Sequence, residues 1–150
     1  MSYLLPDWLR AFRTYLATTV LANLAWETLQ LPLYTIWTTE TVGERAFAVV
    51  HCTGGDMLIA LSALVAALIV LGSRNWPRAR FLEVSLLAIG FGIAYTGFSE
   101  WLNVFVRRSW AYSAWMPVVP TAGGIGLSPL LQWVFVPTLA FWAVARTSRP

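Results

Sequence analysis

The chain has 150 residues, of which 58% are hydrophobic and 11% charged, with a net charge of +3. A soluble domain carries about 25% charged residues, so a water-facing globular surface is excluded, and the length fits one all-α bundle, residues 1–150 forming a single transmembrane domain. The single cysteine, Cys52, excludes an intramolecular disulfide, and all ten basic residues are arginine, a bias that a GC-rich genome explains more simply than headgroup binding does.

Four apolar stretches are long enough to span about 30 Å of hydrocarbon, which takes roughly 20 helical residues. They run from Phe12 to Trp37, Phe47 to Leu71, Phe81 to Val106 and Ser128 to Ala145. The first follows Arg10 and Arg13 as a signal peptide would, but no small-residue cleavage site follows it and the apolar run continues. Pro32 and Pro137 are expected to kink their helices. Ser128-Pro129 reads as an N-cap followed by proline in the first turn.

Arginine placement sets a direction. Arg10, Arg13, Arg74, Arg78, Arg80, Arg146 and Arg149 fall on one side of the four spans, and Arg45, Arg107 and Arg108 on the other. The positive-inside rule then predicts that both termini are cytoplasmic in a multi-pass protein, with the bacterial inner membrane as the expected location.

With that direction, the polar residues inside the spans gather in the outer half: Glu27 and Gln30, His51 and Asp56, Glu100 and Asn103, and Gln132. In the first span Thr19, Asn23, Glu27, Gln30 and Tyr34 recur every three or four residues, and in the third so do Thr96, Glu100, Asn103 and Arg107, each set forming one helical face. His51 and Asp56 are five apart, about 140° around an ideal helix, and share a site only if Gly54-Gly55 distorts it. Amides in membrane bundles commonly serve as interhelical glue, but each acid costs about 2.5–3.5 kcal/mol at a span centre and marks function by default.

Residues 106–127 form a long outer connection, "VRRSWAYSAWMPVVPTAGGIGL", rich in aromatics, Pro and Gly and without an acid. It reads as a segment folded over the bundle mouth, or as part of an interfacial aromatic belt. Arg107 and Arg108 oppose the charge bias there, so they either pair with the acids or hold an anionic headgroup. "TAGGIGL" lacks the lysine of a phosphate loop, one histidine cannot supply a bis-histidine haem, and there is no Cys-x-x-Cys pair, nucleophile elbow or soluble basic face for nucleic acid. Ala88, Gly92 and Thr96 make a small-residue ladder suited to close helix packing.

Three function classes follow. In the first, an enzyme carries out acid-base chemistry on a lipid or isoprenoid. Its catalytic candidates are Glu27, His51, Asp56 and Glu100, with Glu27 among Trp26, Leu29 and Leu31 as the acid and His51 or Asp56 as the base. Gln30, Trp101, Asn103, Arg107, Arg108, Trp110, Tyr112 and Gln132 are its binding candidates, the aromatic ones to stabilise a developing cation. In the second, the four catalytic candidates hold a divalent metal, for catalysis or transport, although no tight ligand pair supports it. In the third, the chain is a non-catalytic subunit or assembly factor of a membrane complex. Membrane lipids and a lipid-like small molecule are the expected partners, with a homo-oligomer or larger assembly left open.

Overall fold

The computed structural model describes residues 6–147; Arg149, counted above on the basic side, lies outside them. The chain folds into α1 (Asp7–Gln30), a short α2 (Ile36–Thr39), α3 (Val42–Leu71), α4 (Phe81–Glu100) and α5 (Leu127–Thr147). Three helical segments are long and apolar enough to cross a membrane: Val42–Leu71, Phe81–Val106 and Leu127–Thr147. α1 has comparable length, 24 residues, but charged first turns and a polar stripe make it less apolar than the others.

That stripe explains where α1 sits. Its buried residues are Ala11, Tyr15, Thr19, Asn23, Glu27 and Gln30, one continuous face at helical spacing. α1 turns this face inward, packing on α3 and α5, while α4 packs on the other side of the same two helices. The result is a four-cornered bundle in which α1 faces α4 across one diagonal and α3 faces α5 across the other. Leu21, Leu29, Val50, Leu58, Ile69, Leu82 and Leu86 point outward and clothe the bundle in apolar side chains.

α1 ends at Gln30 instead of continuing, kinked, to Trp37. Pro32 falls in the first turn of a short 3-10 segment, Leu31–Leu33, where its missing N–H costs nothing. Thr41 and Glu44 form a capping box that starts α3 five residues before the apolar run at Phe47. Pro137 is accommodated inside α5, buried against the bundle. Ser128 lies within the first turn of α5 and does not cap it; its hydroxyl donates to Gln30 Oε1 at 2.8 Å.

The two halves of the interior differ. Tyr15, Leu64, Val84, Phe141 and Val144 form an apolar core near the arginine-rich end, where Arg78 of the α3–α4 connection pairs with Asp7 at the start of α1, 2.5 Å apart. The other end holds the polar groups. There the connection after α4 folds back on the segment after α1: Ser113 N donates to Leu33 O, Thr35 N donates to Ala111 O, and Ser113 Oγ donates to Pro32 O. It also contains a two-residue antiparallel pair, β1 (Val118–Val119) and β2 (Ile125–Gly126).

Candidate functional site

Gln132 is the hub of the polar half. Its side chain is 2% exposed, and its Nε2 donates toward Asn23 Oδ1 at 3.0 Å, Glu27 Oε1 at 2.9 Å and Asp56 Oδ2 at 2.8 Å. Gln30 Nε2 donates to Glu27 Oε1 at 2.7 Å and to Gln132 Oε1 at 3.3 Å. Gln30 Oε1 in turn accepts from the Trp26 indole and from Ser128. Reversing the Gln132 amide would set its carbonyl against three oxygens, so the nitrogen faces them. The carboxyl groups of Glu27 and Asp56 thus share one donor nitrogen.

A second cluster sits beside the first. Glu100, buried at the end of α4, accepts from Tyr112 OH at 2.5 Å, and that hydroxyl accepts from Gly126 N at 2.9 Å. Tyr112 packs on Tyr34 with ring centroids 5.6 Å apart. Burial and the adjoining Glu100 push the Tyr112 hydroxyl up from its ordinary pKa, so it stays a proton donor. The Trp110 indole N–H is buried beside Glu100 without completing a hydrogen bond.

Both clusters border one cavity of about 580 Å³. Glu27, Gln30, Asp56, Glu100 and Gln132 line its inner part, and the exposed Glu40, Glu44, Phe47 and His51 its mouth. Tyr34, Trp110 and Trp133 supply aromatic wall, and Thr96 and Ser99 complete the α4 side.

Among the predicted catalytic residues, Glu27, Asp56 and Glu100 come together around this space, and His51 does not join them. α3 is a regular helix through Gly54-Gly55, so the 140° separation stands: Asp56 faces Gln132, while His51 stacks on Phe47 at the mouth with centroids 5.6 Å apart. Glu27 lies among amides and not in an apolar nest, since Leu29 is 80% exposed on the opposite face. Among the described residues, no group of three or more His, Cys, Asp or Glu side chains is arranged to hold a metal ion. Glu27 and Asp56 both accept from Gln132, and Glu100 accepts from Tyr112.

Of the predicted binding residues, Gln30, Trp110 and Gln132 line the cavity, and Tyr112 acts from behind it through Glu100. Trp101, Asn103, Arg107 and Arg108 do not line it. A π-helical turn over Trp101–Val106 is the cause. It adds one residue to a turn, which rotates everything after it by about 100° relative to an α-helix. Asn103 then donates back to Ser99 O at 2.9 Å, Trp101 faces outward against Phe98, and both arginines are exposed. Neither arginine reaches an acid within ion-pair distance among the described residues, so that option is corrected as well.

Some cavity residues had no sequence signal as site residues: Phe47, Ser99 and Trp133; Tyr34 carried only its place on the polar stripe of the first span. Glu44 carried a signal, the Thr-x-x-Glu box preceding an apolar run. Compared with protein-family models, curated proteins and solved structures, the chain matches none.

Proposed function

We propose that the protein is a multi-pass membrane enzyme that moves protons on a lipid or isoprenoid substrate, with Glu27 and Asp56 as its acid-base pair. The observation that carries this reading is that these two carboxyls accept from one nitrogen, Gln132 Nε2, at the inner part of the cavity. The Gln132 nitrogen has two hydrogens and three acceptors in reach, and Gln30 Nε2 serves one of the three, donating to Glu27 Oε1 at 2.7 Å. Two carboxyls held on one donor nitrogen favour sharing a proton, because each disfavours the charged form of the other. One is then a donor and its neighbour an acceptor, the arrangement needed to protonate one carbon or oxygen of a substrate and deprotonate another. Tyr112 and Glu100 make a second proton-bearing pair on the facing wall, suited to binding a polar end of the same substrate.

In this reading all four long helices cross the bilayer, α1 included. At 1.5 Å per residue its 24 residues reach about 36 Å, and its polar face is turned to its neighbours and away from lipid. The arginine-rich end lies in the cytoplasm and the cavity opens in the outer leaflet of a bacterial inner membrane. The scaffold alternative calls for a small-residue ladder facing lipid. Ala88, Gly92 and Thr96 face inward instead, with Gly92 against the Trp133 ring, and this favours the enzyme.

The test is deuterium uptake. Purified protein in lipid nanodiscs, in deuterated water, is incubated with isoprenoid and lipid fractions, and incorporation is read by mass spectrometry. The parent is expected to label one fraction, and Glu27→Gln or Asp56→Asn to lower the rate by about 10²–10⁴-fold while leaving the fold intact. Absence of labelling by the parent across the fractions, or full labelling by both variants, would overturn the assignment.

A further inference from the structure

The charge inventory of the cavity is one-sided. Five of the seven acids in the chain border it, Glu27, Glu40, Glu44, Asp56 and Glu100, and among the described residues no arginine does. His51 at the mouth is the one basic side chain among its described lining residues. The nearby arginine of α3, Arg45, is engaged elsewhere, donating to Trp37 O at 3.1 Å with its guanidinium 4.9 Å from the Trp37 ring centroid. The inner acids therefore have amide and phenol donors but no counter-charge among the described residues.

The rest of the wall suits a cation with an apolar body. Tyr34, Phe47, Trp110 and Trp133 present aromatic surface, and aromatic faces attract ammonium groups by about 0.5–2 kcal/mol depending on desolvation. Thr96 borders the cavity at 7% exposure, and its hydroxyl has no hydrogen-bond partner within the described protein. A buried polar atom left in that state is costly unless a ligand or water meets it. The volume, about 580 Å³, lies within the range of sites that enclose a small organic molecule.

Resting on the reading of this cavity as the substrate site, we propose that it takes an amphipathic organic cation, an amine or quaternary ammonium carried on an apolar chain, in preference to a neutral or anionic lipid. The outer acids Glu40 and Glu44 draw the cationic head to the mouth. Asp56 and Glu100 then supply the counter-charge inside, and the apolar chain lies along Phe47, Ile59 and Trp133. Steering by unpaired surface charge of one sign is a property of such clefts and weakens with salt.

The experiment compares three ten-carbon probes, decyltrimethylammonium, decanol and decanoate, on the full chain in nanodiscs of neutral phospholipid. Tryptophan fluorescence and thermal stability report binding. The ammonium is expected to bind about tenfold or more tightly than decanol, with decanoate weakest. Asp56→Asn and Glu100→Gln should each remove most of that preference. Glu44→Gln, exposed and able to keep the capping box, supplies a variant that folds in any event; it should weaken the ammonium alone, by about twofold to threefold, and less at high salt. Equal binding of ammonium and decanol, or a preference untouched by all three variants, would overturn the cation assignment and leave the proton-transfer reading in place. Failure of all three probes to bind would remove both.

Discussion

Gln132 of α5 reaches Asp56 of α3 across the diagonal of the bundle, with Nε2 and Oδ2 2.8 Å apart. The same nitrogen faces Glu27 and Asn23 on α1, so one amide ties three helices together in the half of the molecule that has least apolar packing. Buried polar groups of this kind are valuable only while all are satisfied.

Replacing Gln132 by leucine keeps the volume and removes the donor from Asn23, Glu27 and Asp56 at once. A stability loss of about 3 kcal/mol or more is expected, because buried acceptors left without partners cost about 1–3 kcal/mol each. Thermal unfolding of the purified variant measures it. Asn23→Ala, which removes an acceptor and no donor to the acids, should cost only about 1 kcal/mol and leave proton transfer unaffected.

Tyr112→Phe removes the donor to Glu100 and the acceptor of Gly126 N together. The expected outcome is faster amide exchange at Gly126 and in the β1–β2 pair, with α1 and α3 unchanged. Mass-spectrometric hydrogen exchange over residues 107–127 reads this directly. Unaltered exchange would show that the fold-back at Leu33 and Ser113 alone holds the connection.

Gly92→Ala places a methyl group on the Trp133 ring, since an added Cβ would lie 2.1 Å from it. The collision is with a rigid aromatic in a packed helix pair, so about 1–3 kcal/mol of destabilisation is expected. Trp133 also walls the cavity, and its fluorescence should shift in the variant. Gly90→Ala, with open space around the added atom, is the control and should be neutral or slightly stabilising.

Orientation is tested by cysteine labelling in a Cys52→Ser background. Ala114 and Ser73 are exposed at opposite ends of the bundle. A membrane-impermeant reagent added outside cells should modify Ala114→Cys at once and Ser73→Cys only after permeabilisation. The reverse pattern would place the cavity in the cytoplasmic leaflet.

Much of this architecture is legible in the amino-acid pattern. Hydropathy alone locates the ends of the third and fourth long helices to within two residues, because a run of apolar side chains has few other stable placements. Helical periodicity also predicts that Thr19, Asn23, Glu27 and Gln30 share a buried face, since in apolar surroundings a polar stripe turns toward its like. The same rule fails after Glu100. A single π-helical turn shifts phase, and nothing in "WLNVFV" announces it, so periodicity assigns Asn103 and Arg107 to a face they do not occupy.

What the sequence by itself determined was therefore the all-helical class, the long apolar helices, and which residues of α1 look inward, all consequences of local pattern and of the high cost of bare polar groups in an apolar medium. The tertiary structure alone decided the partners. That Gln132 serves Asp56 and Glu27, that Tyr112 and not an arginine meets Glu100, and that His51 stands apart at the mouth depend on how four helices are rotated about their axes and where the connection after α4 folds back. Those choices are made by contacts between residues up to 109 positions apart. Such contacts leave no periodic trace in a single chain, because the energy that fixes them belongs to the pair and not to either residue.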